Sequence, residues 1–246
     1  MGHLNRAIKN DWFYAMLRDF RFDADAVFID VGVNVGQTLL KFKSCQNAQY
    51  IGFEPNPSCA YYVSQLIKYN KFNNVNIYPI GLSYDNHIAK FFTKNDVDSA
   101  GTTLSELRPG YYDSNSVTYV PVFAFDNLKI DNLNSIGLIK IDVEGGELEV
   151  LQGMTTSIKK YMPPIVCEIL DSHTEANIPE MQKRADKLIT LIKSLNYDVC
   201  RISYNNNAIS LEKIDVVTIK KWTESSWDQN DYLFLPAGSN YQSYFK

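Results

Sequence analysis

Residues 28 to 38 read FIDVGVNVGQT, and they join a short apolar run to a turn that contains two glycines and an asparagine. Such a run predicts a buried strand that enters a nucleotide-binding turn at the start of a helix. A dinucleotide-binding turn needs glycine at three relative positions, which here are Gly32, Asn34 and Gln37. Because two of these positions lack glycine, the turn is not typical of a site for a pyrophosphate.

The next predicted strand also ends in an acidic residue. Residues 50 to 57 read YIGFEPNP and place Glu54 about twenty residues beyond the turn. A carboxylate at this tip suits the two hydroxyls of a ribose and repels a 2′-phosphate. Asp30, at the first strand tip, suits an ammonium group better than a phosphate. The two acids predict a nucleoside ligand without a pyrophosphate, which S-adenosylmethionine satisfies; alternatively, Asp30 and Gly32 only cap a helix.

A third acidic strand tip follows in LIKIDVEGGE, residues 138 to 147, where Asp142 ends a strand and Glu144 lies just beyond. Ligands of open α/β sheets bind outside the carboxyl ends of the strands, so these acids should face the same crevice as Asp30 and Glu54. For Glu144 the alternative is a favourable charge at a helix N-terminus, worth ~0.3 to 1 kcal/mol. The predicted cofactor-binding residues are Asp30, Gly32, Asn34, Gly36, Glu54, Pro55, Asn56 and Asp142.

The composition limits the classes of function. A chain of 246 residues with 45% hydrophobic content is enough for one α/β domain. The formal net charge of -4 and the pI near 5.4 argue against a nucleic-acid partner, which needs clustered lysine and arginine. Four cysteines without a Cys-x-x-Cys pair predict reduced thiols in a cytoplasmic protein rather than a zinc site or disulfides. No apolar run approaches the ~18 residues of a membrane span.

Short apolar strands alternate with longer helical segments along the chain. Helices are predicted at residues 56 to 70 and 178 to 196, the second with one continuous apolar face. This alternation predicts βαβ units, and therefore an α/β fold with a doubly wound, mostly parallel sheet. The predicted strands are residues 26 to 29, 50 to 53, 75 to 80, 138 to 141, 165 to 170, 197 to 202 and 232 to 235.

We predict a single domain whose core covers residues 25 to 203. Residues 1 to 24 carry apolar residues at helical spacing and are predicted to cover the sheet or the site, and their apolar face could support a homodimer. Residues 81 to 125 interrupt the alternation and predict an insertion with a mobile loop. Residues 204 to 246 hold the C-terminal strand and tail, and the asparagines near residue 205 predict a hairpin turn.

The sequence resembles a known family through five motifs in order: FIDVGVNVGQT, YIGFEPNP, IGLSYDN, LIKIDVEGGELEVLQGM and PPIVCEIL. Together they are similar to the FkbM family of S-adenosylmethionine-dependent methyltransferases over roughly residues 25 to 203. The resemblance implies a class I methyltransferase, a Rossmann-like fold with a seven-stranded sheet whose last strand is antiparallel. It also implies methylation of a hydroxyl on a sugar or polyketide-type product, so that the acceptor would be a small molecule or a carbohydrate.

Methyl transfer to an alcohol requires alignment of the reactants and removal of one proton. His173 follows the CEILD strand and is placed to act as general base, although a solvated loop histidine explains it equally well. The predicted catalytic residues are therefore Asp142, Glu144 and His173. A less favoured alternative is that Asp142, Glu144 and Asp171 bind a divalent cation that lowers the pKa of the acceptor.

Two ionisable residues, Lys140 and Glu168, lie inside predicted strands, where a lone buried charge is costly. We predict that they form a structural ion pair across neighbouring strands. The loop of residues 94 to 116 contains hydroxyl and aromatic side chains suited to a carbohydrate, although its composition is also that of an ordinary loop: Thr102, Thr103, Tyr111 and Tyr112.

Two other functions are also compatible with the sequence. A nucleoside-cofactor oxidoreductase is disfavoured by Asn34 and Gln37, and a test for NAD binding separates it from a methyltransferase. A catalytically inactive nucleoside-binding or scaffold protein with the same fold would bind the ligand without turnover. A methyl group transferred to an acceptor would distinguish the enzyme from the scaffold.

Overall fold

The computed structural model describes residues 11–94, 101–108, 110, 117–205, 208–223 and 230–245. The helices are α1 (Trp12–Asp19), α2 (Gln37–Cys45), α3 (Pro57–Asn70), α4 (Glu147–Gly153), α5 (Thr155–Tyr161) and α6 (Ile178–Ser194). The strands are β1 (Ala26–Val31), β2 (Gln49–Phe53), β3 (Val75–Tyr78), β4 (Gly81–Leu82), β5 (His87–Phe92), β6 (Val117–Phe123), β7 (Ser135–Ile141), β8 (Ile165–Glu168), β9 (Tyr197–Asn205), β10 (Ala208–Ile214) and β11 (Asp231–Pro236).

Eight strands form the large sheet in the order β10-β9-β11-β8-β7-β1-β2-β3. The five strands from β8 to β3 run parallel, while β11, β9 and β10 pair antiparallel. The predicted doubly wound α/β fold is confirmed, and all seven predicted strands lie in this sheet. The eighth strand, β10, was not predicted; it pairs with β9. The hairpin turn predicted near residue 205 falls partly on residues 206 and 207, outside the described residues. Strand order reverses at β1, which is where ligands of such sheets bind.

Both faces of the sheet are covered, because successive side chains of a buried strand point to opposite faces. Phe28 packs with Phe42 of α2 and Tyr50 of β2 on one face, with ring centroids 4.9 and 5.5 Å from Phe28. Ile29 belongs to the core of the other face, which α4, α5 and α6 cover with residues such as Leu151. The two apolar layers fix which strand residues can reach the crevice.

Helix α1 lies on the same face as α2. Asp11 caps it by accepting the backbone N–H groups of Phe13 and Tyr14, at 2.8 and 3.1 Å. Its apolar side chains are buried in the core of that face: Phe13, Met16 and Leu17. After α1, Phe20 forms an isolated antiparallel bridge with Phe245 near the C-terminus.

The insertion of residues 81 to 125 folds around a small sheet in which β6 pairs with both β4 and β5. A 3-10 turn follows at Ser105–Leu107. The loop predicted to be mobile falls largely on residues 95 to 100, 109 and 111 to 116, outside the described residues. None of the described helices is long and apolar enough to cross a membrane.

Candidate active site

A cavity of about 700 Å³ lies at the carboxyl ends of the parallel strands. It reaches from Glu54 after β2, past the turn after β1 and the tip of β7, to Glu168 at the end of β8. Side chains of α1, including Trp12, and of the insertion, including Arg108, complete its walls. The cavity is therefore at the strand-order reversal, where the sequence placed the nucleoside.

Gly32 brings the turn after β1 against the tip of β7. Its φ is +89°, and a Cβ atom there would lie 1.9 Å from the backbone oxygen of Asp142. Its N–H donates to the Phe53 carbonyl at 3.0 Å, which ties the turn to β2 as well. The glycine is therefore needed both for the positive φ and for the close approach of three strand tips. It also lines the cavity.

Glu54 is held in the cavity wall by two backbone groups. It accepts the N–H of Asn34 at 2.7 Å and the N–H of Asn56 at 2.8 Å, one on each carboxyl oxygen. Burial raises the pKa of Glu54 to about 7, against the opposing effect of these hydrogen bonds. Because each oxygen retains a second lone pair, the fixed carboxylate can still accept two ligand hydroxyls.

Two predicted cofactor-binding residues support the walls without lining the cavity. Gly36 begins α2 with φ +86°, and a Cβ atom there would lie 2.9 Å from the side chain of Leu66 in α3. Asn56 caps α3 by accepting the N–H of Ser58 at 3.0 Å. Of the predicted set, five line the cavity: Gly32, Asn34, Glu54, Pro55 and Asp142.

Asp30 also does not line the cavity, so its predicted contact with the cofactor stays a prediction. It is fully buried, and the Tyr50 hydroxyl donates to its Oδ2 atom. Its Oδ1 atom has no hydrogen bond and lies 3.8 Å from the Lys140 ammonium. Burial raises the pKa of Asp30 to about 6, although Lys140 and Tyr50 act in the opposite direction. Asp30 thus lies behind Lys140 rather than against a ligand.

Lys140 joins Asp30 to Asp142, and the predicted ion pair with Glu168 is wrong. The ammonium donates to Asp142 at 2.9 Å, and the strand register places Val166 opposite Lys140. Burial alone would raise the pKa of Asp142, but Lys140 and a hydrogen bond with Glu168 outweigh it and hold the pKa below its ordinary value. The pKa of Glu168 is raised well above its ordinary value by burial and by the charge on Asp142. Asp142 is therefore the ionised member of this carboxyl pair.

Glu144 is paired with Arg108, a cavity residue that the sequence analysis missed. The guanidinium of Arg108 donates to Glu144 Oε2, and Thr102 donates to the backbone oxygen of Glu144 at 3.0 Å. Burial raises the pKa of Glu144 to about 7, although Arg108 opposes the shift. These contacts hold the insertion against the turn after β7, and a catalytic role for Glu144 stays a prediction.

His173 lines the cavity and packs against Trp222, with ring centroids 5.4 Å apart. Burial lowers the pKa of His173, and the charge on Arg108 lowers it further, so the imidazole is neutral near pH 7. A neutral imidazole can take a proton. Trp222 was not predicted, because it follows no strand and its position depends on a hydrogen bond from its N–H to Ser172.

The remaining predicted residues lie apart from this set. Asp171 is buried and accepts the backbone N–H of Lys220 at 2.8 Å, and it does not line the cavity. Within the described part of the chain, no group of three or more potential ligands could hold a metal ion, so Asp142, Glu144 and Asp171 are not gathered into one. Thr103 lines the cavity, whereas Tyr111 and Tyr112 lie outside the described residues.

The chain is similar to solved structures of methyltransferases. A methyltransferase FkbM from Methylobacillus flagellatus KT is 14% identical with a TM-score of 0.51, over 90% of this chain and 47% of its own. This chain thus spans about half the length of that protein. A precorrin-6y C5,15-methyltransferase from Geobacter metallireducens GS-15 is 12% identical with a TM-score of 0.43, over 90% and 82% of the two chains.

The family follows from the sequence match. No curated protein matches the chain. A family model described as the Methyltransferase FkbM domain matches residues 30–199, which include the turn after β1, Glu54, Asp142 and His173. Because this match covers more than half of the 246 residues, the chain belongs to the FkbM methyltransferase family.

Proposed function

We propose that this protein is an S-adenosylmethionine-dependent O-methyltransferase that acts on a hydroxyl of a sugar, polysaccharide or related natural product. The observation that carries the proposal is the carboxylate of Glu54, fixed by the N–H groups of Asn34 and Asn56 at the cavity wall. It accepts hydroxyls and repels phosphate, which suits a nucleoside cofactor. The FkbM family supports methyl transfer as the reaction.

The chain's own residues fit such a cofactor. Glu54 would receive the ribose hydroxyls, and the turn from Gly32 to Asn34 allows close approach of an amino-acid tail. Asp142 is ionised and lines the cavity, so it can receive an ammonium group. When bound, S-adenosylmethionine supplies a methyl group activated by its sulfonium.

The acceptor hydroxyl must lose a proton as its oxygen forms the new bond. We assign this proton to His173, because its imidazole is neutral and lines the same cavity. Asp142 already accepts from Lys140, which makes it better suited to orientation than to proton removal. With S-adenosylmethionine saturating, the acid limb of the pH profile of kcat/KM for the acceptor should disappear in His173→Gln. An unchanged limb under these conditions would show that another group is the base.

Calorimetry tests the cofactor site. Titration with S-adenosylmethionine or its demethylated product should show saturable binding that Glu54→Ala weakens at least about tenfold. The cofactor affinity of Glu54→Gln, which keeps one acceptor oxygen, should lie between the affinities of the native protein and of Glu54→Ala. Glu180→Ala is the matched control, because that side chain is exposed on α6. Binding should tighten from pH 6 to 8, since the ionised carboxylate is the acceptor and its pKa is about 7.

The same titrations separate the alternatives. Absence of cofactor binding to the native protein would remove the proposal, and saturable binding of NAD would favour an oxidoreductase. A mass gain of one methyl group on an acceptor in a cell extract, dependent on S-adenosylmethionine, would demonstrate turnover. Consistent lack of methylation across broad acceptor pools, with the cofactor bound, would favour a scaffold protein.

Location and assembly complete the proposal. The four cysteines are free thiols, which supports a cytoplasmic location. Cell fractionation tests it. A homodimer stays a prediction that analytical ultracentrifugation would test. Helix α1 already buries Phe13, Met16 and Leu17 within the chain, so a dimer through those residues would require another arrangement.

A further inference from the structure

The end of the cavity farthest from Glu54 has a distinct chemistry. Strands β1, β7 and β8 separate β2 from β11 in the sheet, so side chains at β8 and β11 are remote from the nucleoside end. We call this region the acceptor end and define it by six cavity-lining residues: Glu168, Leu170, His173, Trp222, Asn230 and Asp231. It combines an aromatic pair with carboxyl and amide groups.

The aromatic pair of the acceptor end is held in place. The segment containing Trp222 forms a parallel bridge with the chain after β8: the N–H of Ser172 donates to Lys220 at 2.9 Å, and the N–H of Trp222 donates to Ser172 at 2.7 Å. Trp222 and His173 are tilted by 33° with their centroids 5.4 Å apart. A fixed indole beside polar groups suits a ligand with one apolar face and several hydroxyls.

The charges of the cavity select against an anionic acceptor. Among the described lining residues the lysine and arginine side chains are each paired with a carboxylate: Lys41 with Asp11 at 2.6 Å, Lys140 with Asp142 at 2.9 Å, and Arg108 with Glu144. An acceptor carboxylate or phosphate would thus have to compete with an existing ion pair. It would also lie close to the carboxyl group of Asp231, at a cost that rises as water is excluded. Glu168 adds no repulsion, because its raised pKa keeps its carboxyl group protonated.

We propose that the acceptor is an uncharged, hydroxyl-rich ring, a neutral sugar unit, which packs its C–H face on Trp222, and that sugars carrying a carboxylate are excluded. The inference rests on the proposed function, because the proposed function assigns the Glu54 end of the cavity to the cofactor and leaves the acceptor end for the sugar. Asn230 and the acceptor-end carboxyl groups would receive the sugar hydroxyls as hydrogen-bond partners. Trp222 is then a residue that determines specificity.

Saturation-transfer difference NMR tests this selection. The protein, saturated with the demethylated cofactor, is mixed with methyl glucoside and methyl galactoside, and separately with the matched glucuronide and galacturonide. At least one neutral glycoside should receive saturation, and both uronides should receive several-fold less. The signal should be lost in Trp222→Ala and largely retained in Trp222→Phe. Tyr69→Ala is the aromatic control, because Tyr69 is exposed on α3.

Each other outcome overturns the inference. Uronides that bind as well as the neutral glycosides would remove the charge argument, and this comparison needs no variant. An unchanged signal in Trp222→Ala, with cofactor affinity intact, would remove the role of the indole. If no glycoside received saturation, a sugar would be excluded as the acceptor. The proposed function is tested separately: it would be contradicted if the native protein did not bind the cofactor in calorimetry.

Discussion

The turns after β1 and β7 are built from similar parts and yet place their acids differently. Each follows an aspartate near the end of its strand, and each contains a non-glycine residue in the left-handed region and a glycine with positive φ: Asn34 and Glu144 have φ of 55° and 59°, and Gly32 and Gly145 have φ of 89° and 109°. Asp30 nevertheless has 0% exposure, whereas the Asp142 side chain has 37% and lines the cavity.

The difference comes from where each strand ends. β1 continues to Val31, which pairs with both Phe53 and Ile141, so Asp30 is still inside the sheet. β7 ends at Ile141, so Asp142 is the first residue beyond it. A shift of one residue relative to the strand end turns an aspartate from a ligand-facing group into an interior support.

Replacement of the glycine that joins the two turns should have the largest effect. In Gly32→Ala the new methyl would overlap the Asp142 backbone oxygen, and the φ of +89° is strained for alanine. We expect a loss of more than about 4 kcal/mol in the free energy of unfolding, measured with urea. Gly146→Ala is the control, because its methyl would meet only Val143 at 3.4 Å. Equal losses in the two variants would contradict the close approach.

Replacement of Asp142 should impair turnover, whereas replacement of Asp30 should leave cofactor binding nearly unchanged. Asp142→Asn removes the ionised group that lines the cavity and should lower kcat/KM at least about hundredfold. Asp30→Asn should change cofactor affinity by less than about threefold, because Asp30 does not contact the cavity. Steady-state kinetics and calorimetry provide the two readouts. A stronger effect of Asp30→Asn on cofactor affinity would restore the direct contact that the sequence predicted.

Lys140 serves both aspartates, so its neutral replacement should damage folding more than turnover. Lys140→Met leaves the buried carboxyl group of Asp30 and the partly exposed carboxylate of Asp142 without their cation and should cost about 3 kcal/mol in urea unfolding. The comparison variant is Lys213→Met, which removes an ion pair with Asp198 whose lysine side chain is 65% exposed and should have little effect on stability. Preserved stability with lost activity would make Lys140 catalytic instead.

The two aspartates should also respond oppositely to pH. The pKa of Asp30 is raised to about 6, so the folded state binds its proton more tightly and loses stability as pH rises from about 4 to about 6. The cost of Asp30→Asn should therefore be about 1 kcal/mol smaller at pH 7.5 than at pH 5. The pKa of Asp142 is lowered, so its stabilisation is complete above its ordinary value of 3.8 and is lost in stronger acid. The cost of Asp142→Asn should not decrease over the same interval.

Sequence reasoning succeeded where a residue's position follows from its own strand. Glu54 directly follows β2, and the acid at that tip was placed in the cavity. Lys140 was assigned to the wrong partner because pairing across strands was considered before pairing along one strand. Residues two apart on a strand share a face, and this rule alone points to Asp142. The alternation in AISLEKI, residues 208 to 214, was likewise available as a signal for β10.

The parts that sequence could not supply lie on segments without regular structure. Arg108 reaches the cavity through its ion pair with Glu144, and Trp222 through its hydrogen bond with Ser172. Neither contact leaves a periodic pattern, because each is made between residues far apart in the chain. The acceptor end is built largely from such contacts, so its chemistry became visible only with the fold.

The bridge between Phe20 and Phe245 ties the residues near Phe245 to the end of α1, which forms part of the cavity wall. Arg21 donates its N–H to the Tyr244 carbonyl at 2.9 Å, and Phe20 packs against the rings of Tyr244 and Phe245. The bridge restrains α1, at whose other end Asp11 and Trp12 line the cavity. We therefore expect a substitution that breaks this bridge to shift α1 and so change the cavity wall, although the substituted residue itself does not line the cavity.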